Sequence, residues 1–250
     1  MNIGPTSGVP MAHYLRRLVW LSLLPLLLLT LLLAADTLRR LRAADDRTGT
    51  LLATQLANQV DEMLRQRTLG LEVLAASPLL DVQRLADFHR RAQIFPRRFG
   101  TQLLLVDAQG RMELHTGVPF GQALPPLPRP KGRAAVPAAL ASGQAEVSDV
   151  FIGPIAQRPL VAVAVPVLRG GKAVRVLLTT LDAQAFQAQI DRSGVAEGWQ
   201  VALVDSRREP IAGSFGVAST AADVEPGGAR FAQAVSMAPW TVIVDESAAS

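Results

Sequence analysis

The side chains able to do chemistry are few in this sequence. Cysteine is absent, which removes thiolate nucleophiles, cysteine-ligated metals and disulfides. The three histidines are His13, His89 and His115. No pair of them has the i, i+4 spacing of a helical metal site, and no His-Glu-x-x-His run occurs. There is no Gly-x-Ser-x-Gly elbow. Gly170-Gly171-Lys172 lacks the leading glycine and the Ser/Thr of a phosphate loop, and reads as a hairpin turn. The expectation is a chain that is not an enzyme, with no catalytic residue, no metal and no cofactor.

Charge narrows the partners. Lys and Arg total 25 against 21 Asp and Glu, and the only lysines are Lys131 and Lys172. The arginines are scattered among acidic residues. A basic stripe interleaved with aromatics is missing, so no nucleic-acid partner is expected.

Two aspartates mark an internal echo. "TQLLLVDAQGRMEL" begins at Thr101 and "WQVALVDSRREPIA" at Trp199, and each places an Asp after an apolar run. Asp107 and Asp205 sit where strand passes into turn, a position at which Asp bonds nearby backbone amides. That role is favoured over a paired-carboxylate site. Each echo reads as a hairpin. "RPLVAVAVPVL" and "KAVRVLLTTL", joined by "RGG", form a further hairpin. "EVSDVFIG" reads as one short strand, and "AAVPAALASG" as a short helix closed by Gly143. "DAQAFQAQIDRSG" reads as an amphipathic helix with Asp182 as N-cap and Gly194 as stop. The stretch "VPFGQALPPLPRPKGR" is too proline-rich for regular structure. A last hairpin joins "ARFAQAVS" to "WTVIVDE". The fold class is α+β, with two related antiparallel-sheet modules in tandem.

Upstream, Leu18–Ala35 carries no charge. As a helix it spans about 27 Å, near the thickness of a bilayer's hydrocarbon core. The run exceeds a signal-peptide core, and Leu33 occupies the place of a small cleavage-site residue. It reads as an uncleaved signal anchor, residues 18–35, preceded by a cytoplasmic segment, residues 1–17. Arg39, Arg40, Arg42 and Arg47 follow it, mixed with Asp36, Asp45 and Asp46. Long domains translocate regardless of such flanks, so the C-terminal part is placed outside the cytoplasm. Residues 36–77 carry a helical stripe of Leu52, Leu56, Val60, Met63, Leu71 and Leu74, stopped by Pro78. A second helix is expected from Asp81 to Ile94, ended by Pro96.

A signal anchor, a long helix and two PAS-like sheets resemble the double Cache sensor domain of bacterial transmembrane receptors. The likeness is carried by "LLLVDAQGRMELHTGVPFGQALP", "VSDVFIGPIAQRPLVAVAVPVLRGGKAVRVLLTTLD" and "PWTVIVDE". It is strongest to the sensors of histidine kinases, and covers about Asp36 to Glu246. It implies a membrane-distal module over 78–194, a smaller membrane-proximal module over 195–246, and a homodimer through the stalk helix. It also implies a fragment of a receptor, with residues 247–250 as a truncated end before a second membrane helix and an output domain.

The same resemblance implies a small-molecule site in the distal module, between the central sheet and the loops and small helix that cover it. Mapped by motif, the candidates are His115, Thr116, Phe120, Asp149, Phe151, Arg158 and Asp182. Arg158 would hold a carboxylate in bidentate form. Asp149 or Asp182 would hold an amine, and Phe120 and Phe151 would form an apolar wall. Each has a structural alternative: Asp182 as helix cap, Phe151 as core, Asp149 as turn residue, Arg158 as solvated loop, His115 as surface strand. The amino-acid-binding subset of the family carries a Tyr, Arg and Trp motif. Here Tyr14, Trp20, Trp199 and Trp240 all fall outside the corresponding region, which argues against the well-defined amino-acid receptor type and leaves the ligand open. A membrane-anchored scaffold of the same fold, with its pocket missing or filled, is the alternative function.

Overall fold

The computed structural model describes residues 11–81, 84–128, 130–196, 198–214 and 230–246. Residues 1–10, 215–229 and 247–250 lie outside these. The chain divides into two units, Met1–Thr48 and Gly49–Ser250. Helix α1 (Met11–Ala75) contains the anchor run, but most of that run's side chains lie outside the described residues. Among the described residues no helix is long and apolar enough to cross a membrane.

In the second unit the stripe on α1 is spent on its own domain. Ala53, Leu56, Ala57, Val60, Leu64 and Leu71 are buried in one core, with Leu52, Met63 and Leu74 packed at its margin. The alanines let the helix backbone approach the sheets closely. Asp61 on the same face is buried. Its two carboxylate oxygens accept the amides of Ser236 and Met237 at 3.0 and 2.7 Å, satisfying a turn that the helix would otherwise cover unpaired.

The α1 terminus departs from expectation in one detail. The helix ends at Ala75, and Pro78 opens the next element, a 3₁₀ turn Pro78–Leu80 capped by Ser77 Oγ. Proline is tolerated there because a first-turn N–H has no helical partner. The same reasoning corrects the second helix. It is α2 (Leu85–Ala92) followed by a separate α3 (Ile94–Phe99), and Pro96 lies in the first turn of α3 instead of ending α2.

The distal sheet has the order β2-β1-β6-β5-β3, all neighbours antiparallel, with β4 also on β5. Its strands are β1 (Leu103–Asp107), β2 (Met112–His115), β3 (Glu146–Val147), β4 (Phe151–Ile152), β5 (Pro159–Arg169) and β6 (Lys172–Asp182). The single strand expected over "EVSDVFIG" is therefore two, because Ser148, Asp149 and Val150 leave the ladder. Side chains alternate across this sheet. Leu103, Leu105, Val161, Val163 and Leu177 face the α1 core. Leu104, Val106, Ala162, Ala164 and Leu178 face the opposite side, with Ala135 and Ala139 of α4 (Ala135–Ser142).

Helix α5 (Ala183–Arg192) leads to the second sheet, of order β8-β7-β10-β9. This sheet contains β7 (Trp199–Val204), β8 (Pro210–Gly213), β9 (Arg230–Ala234) and β10 (Thr241–Glu246). Phe186 of α5 meets Trp240 edge-on at 5.6 Å, and Gln187 Oε1 accepts the Gly213 amide at 2.9 Å.

The echo is a repeat of one turn. Asp107 Oδ1 accepts the amides of Gln109 and Arg111 at 2.9 and 2.8 Å. Asp205 Oδ1 accepts those of Arg207 and Glu209 at 2.8 and 3.0 Å. A bulge precedes each turn, at Leu105/Val106 and at Leu203/Val204. The third turn residue is left-handed in both: Gly110 at φ 80° and Arg208 at φ 63°. Only the first copy has a glycine for it, so the second holds an arginine in a conformation that costs an L-residue about 1 kcal/mol. Arg208→Gly is therefore expected to stabilise the protein by about that amount, read as a higher denaturant midpoint at unchanged slope. An unchanged or lower midpoint would contradict this account of the turn.

Candidate ligand-binding site

The face of the distal sheet turned away from α1 is not fully covered. A cavity of about 590 Å³ lies on it. Leu104, Met112, Leu160, Ala162, Leu178 and Thr180 form its floor, Ala135 and Val136 of α4 one wall, and Pro126, Leu127, Pro128 and Pro130 another. The segment from Phe151 to Ala156 closes a third side. The space has a local cause. Ala162 is too small to reach α4, and prolines cannot donate to a sheet, so that loop arches over the strands without pairing with them.

Its polar members are Gln102, Gln109, His115, Ser148 and Thr180. No Asp, Glu, Lys or Arg is among its described lining residues. The Gly117 amide donates to His115 Nδ1 at 2.9 Å, so the ring proton sits on Nε2. Burial, and then the neighbouring His89, hold the His115 imidazole below its ordinary pKa, and the ring is neutral at pH 7.

Two of the seven sequence-predicted residues, His115 and Phe151, line the cavity. The other five do not. Thr116 is buried beside it, where its hydroxyl accepts the Leu103 amide at 2.9 Å and donates to Gln102 Oε1 at 2.8 Å. Phe120 points elsewhere. It lies 5.7 Å from the His89 ring and borders an adjoining hollow of about 150 Å³, which shares Met112 and His115 with the cavity. Arg158 is exposed and paired with Asp182 at 2.8 Å. Asp182 caps α5 by accepting the Gln184 amide at 2.9 Å. Asp149 is fully buried and is not among the cavity's lining residues. Its carboxylate accepts the Arg133 amide at 2.6 Å, the Ser206 amide at 3.1 Å and the Ser206 hydroxyl at 2.5 Å. Sequence reasoning missed Gln102, Leu104, Ala162, Leu178 and Thr180. Their signal was the period-two alternation, which puts them on one face of three adjacent strands.

Asp149 is a junction. The strip it belongs to carries cavity residues on either side, Ser148 and Phe151, while Ser206 belongs to the β7–β8 turn of the second sheet. The Val150 amide also donates to Asp205 Oδ2, at 3.4 Å. Gly132 makes the approach possible, since a Cβ there would stand 2.0 Å from Asp149 Oδ2.

The junction gives the two echo aspartates opposite electrostatics. Burial pushes Asp107 up, but the amides of Arg111 and Gln109 and the Arg111 guanidinium at 2.7 Å pull harder, and its carboxyl lies below the ordinary value. Burial pushes Asp205 up and Asp149 adds to it, and these outweigh its amide donors, so its carboxyl lies above the ordinary value.

No family model matches the sequence, and no curated protein matches it. Solved structures do. The ligand-binding domain of the Pseudomonas aeruginosa PAO1 amino acid chemoreceptor PctC, in complex with GABA, has a TM-score of 0.60 at 20% identity, over 80% of this chain and 98% of that one. That of the Pseudomonas fluorescens chemoreceptor CtaA, in complex with L-serine, has a TM-score of 0.65 at 15% identity, over 82% and 98%. The extracellular domain rpHK1S-Z16, assigned to a histidine kinase, has a TM-score of 0.60 at 13% identity, over 82% and 95%. At these identities the likeness is one of fold alone, shared with the ligand-binding domains of chemoreceptors and with the extracellular domain of a histidine kinase.

Opposite pH signatures follow for the two turns. Asp107 contributes stability that is present above the ordinary carboxylate pKa and lost as pH falls through its lowered folded value. Asp205 works in reverse: its contribution is greatest in acid and is lost as pH rises toward its raised folded value. Melting of Asp107→Asn and Asp205→Asn between about pH 3 and pH 7 should therefore show the Asp107 deficit growing with pH and the Asp205 deficit shrinking. Parallel curves would refute the assignment.

Proposed function

We propose that the chain is the extracytoplasmic ligand-sensing region of a bacterial signal-transduction receptor, the sensor part of a histidine kinase. Leu18–Ala35 anchors it in the inner membrane, residues beyond the anchor lie in the periplasm, and two copies associate through the stalk helix. The observation that carries this reading is the open cavity on the α4 side of the distal sheet, in a fold shared with domains solved in complex with small molecules. A scaffold of the same fold has no need of such a cavity. Ser148, the serine on the cavity wall, spends its hydroxyl on the Asp149 carbonyl and the Ala162 amide and is not a free nucleophile. Since the stripe on α1 is consumed by its own domain, the dimer contact falls to the helix face bearing exposed Leu51, Leu69 and Val73.

The mechanism follows the hydrogen bonds. A ligand between α4, the proline-rich loop and the sheet shifts the strip from Ser148 to Ala156. Asp149 and Val150 pass the shift to Ser206 and Asp205 at the end of β7. Strand β10 pairs with β7 along its length, and Asp61 ties α1 to the β9–β10 turn. Ligand binding then acts by stabilising one of two arrangements of these packed elements. Melting of the full chain against a panel of acids, amino acids, amines, nucleobases and neutral carbonyl compounds is expected to yield at least one compound that raises the midpoint with concentration. A well-folded chain that responds to no class would remove the sensor reading.

A further inference from the structure

Building on the sensor reading, we infer that this cavity takes an uncharged, largely apolar molecule bearing a hydrogen-bond acceptor, such as a ketone, ester or lactone. It is not built for an amino acid, a carboxylate or an amine. Against the described lining an ion would lose its water and meet no acidic or basic side chain. Of the charged residues that flank the lining in sequence, Arg111, Arg133 and Arg158 are paired with Asp107, Glu146 and Asp182, Lys131 is exposed, and Arg129 lies outside the described residues.

The lining's polar groups then specify the acceptor. Thr116 takes the Leu103 amide and so turns its own proton to Gln102. That fixes Gln102 with its oxygen occupied and its NH₂ unspent. His115 is fixed the same way, with Nδ1 taken by Gly117 and Nε2–H left to donate. Ser148 is satisfied in both directions. Gln102 and His115 are thus fixed as donors, with the Gln109 and Thr180 side chains able to donate or accept, at the edge of a surface of Leu104, Met112, Leu127, Phe151, Leu160 and Leu178. A buried donor left without an acceptor is costly, so a bound molecule is selected for carrying one.

The test is melting and calorimetry of the full chain in lipid nanodiscs. The probes are nonan-2-one and δ-decalactone against nonanoate, nonylamine, L-leucine, L-serine and 4-aminobutyrate. Two variants accompany it. Ala162→Phe fills the cavity floor and also controls for partition into lipid. Ile155→Glu places a carboxylate at an exposed rim position, where folding is not at risk. The expected result is binding of the neutral pair only, lost in Ala162→Phe and weakened about tenfold or more in Ile155→Glu. Binding of an amino acid, acid or amine that is lost in Ala162→Phe would overturn this inference and leave the sensor reading standing. Binding of the neutral pair that survives in both variants would overturn it by placing those molecules elsewhere. If no probe of any class binds, this inference fails and the sensor reading fails with it.

Discussion

Strands β1, β5 and β6 send alternate side chains to opposite faces of the distal sheet, and the two faces meet different partners. One meets α1, where large aliphatic residues interlock with a helix whose alanines allow close approach. The other meets α4 and a loop held off the strands by its prolines. Packing is not completed on that second side with Ala162 in the floor, and the unfilled space is the cavity. A one-residue slip of register would exchange the two faces, burying the helix against alanines and closing the site with leucines. The long β5–β6 pairing, with Gly170 and Gly171 at its turn in left-handed conformations, is what holds the register.

Buried carboxylates do the joining. Asp61, Asp149 and Asp205 each accept backbone amides from an element distant in sequence. None of them lines the cavity. They satisfy amides of turns and loops that would otherwise be covered unpaired. In doing so they link α1 to the β9–β10 turn, and the cavity strip to the β7–β8 turn. The duplicated hairpin turn shows how one local design is put to two uses. Asp107 closes its own turn at a partly open edge beside Arg111, whereas Asp205 closes its turn and also faces Asp149 across the junction.

Much of this was legible in the sequence. The strands, their hairpins, the echo and the amphipathic helix capped by Asp182 follow from apolar period and turn chemistry, which are local. Where reading failed, the deciding contact was distant. Pro96 reads as a helix stop until a second helix starts around it. Nothing near Asp149 and Arg158 in sequence shows that Ser206 and Asp182 are their partners. The cavity's true lining is apolar and lies on three strands whose adjacency is a matter of sheet order. His115 and Phe151 were found because they fall at the hairpin end and the strip that the family resemblance points to.

The central claim is that the α4 face of the distal sheet receives the ligand. Its most direct test is a crystal structure of the chain with a compound that raises its melting point. The account predicts density for that compound against Leu104, Ala162 and Leu178, beneath α4 and the proline-rich loop. Density at Arg158 and Asp182, or in the hollow beside Phe120, with the cavity unchanged, would contradict it.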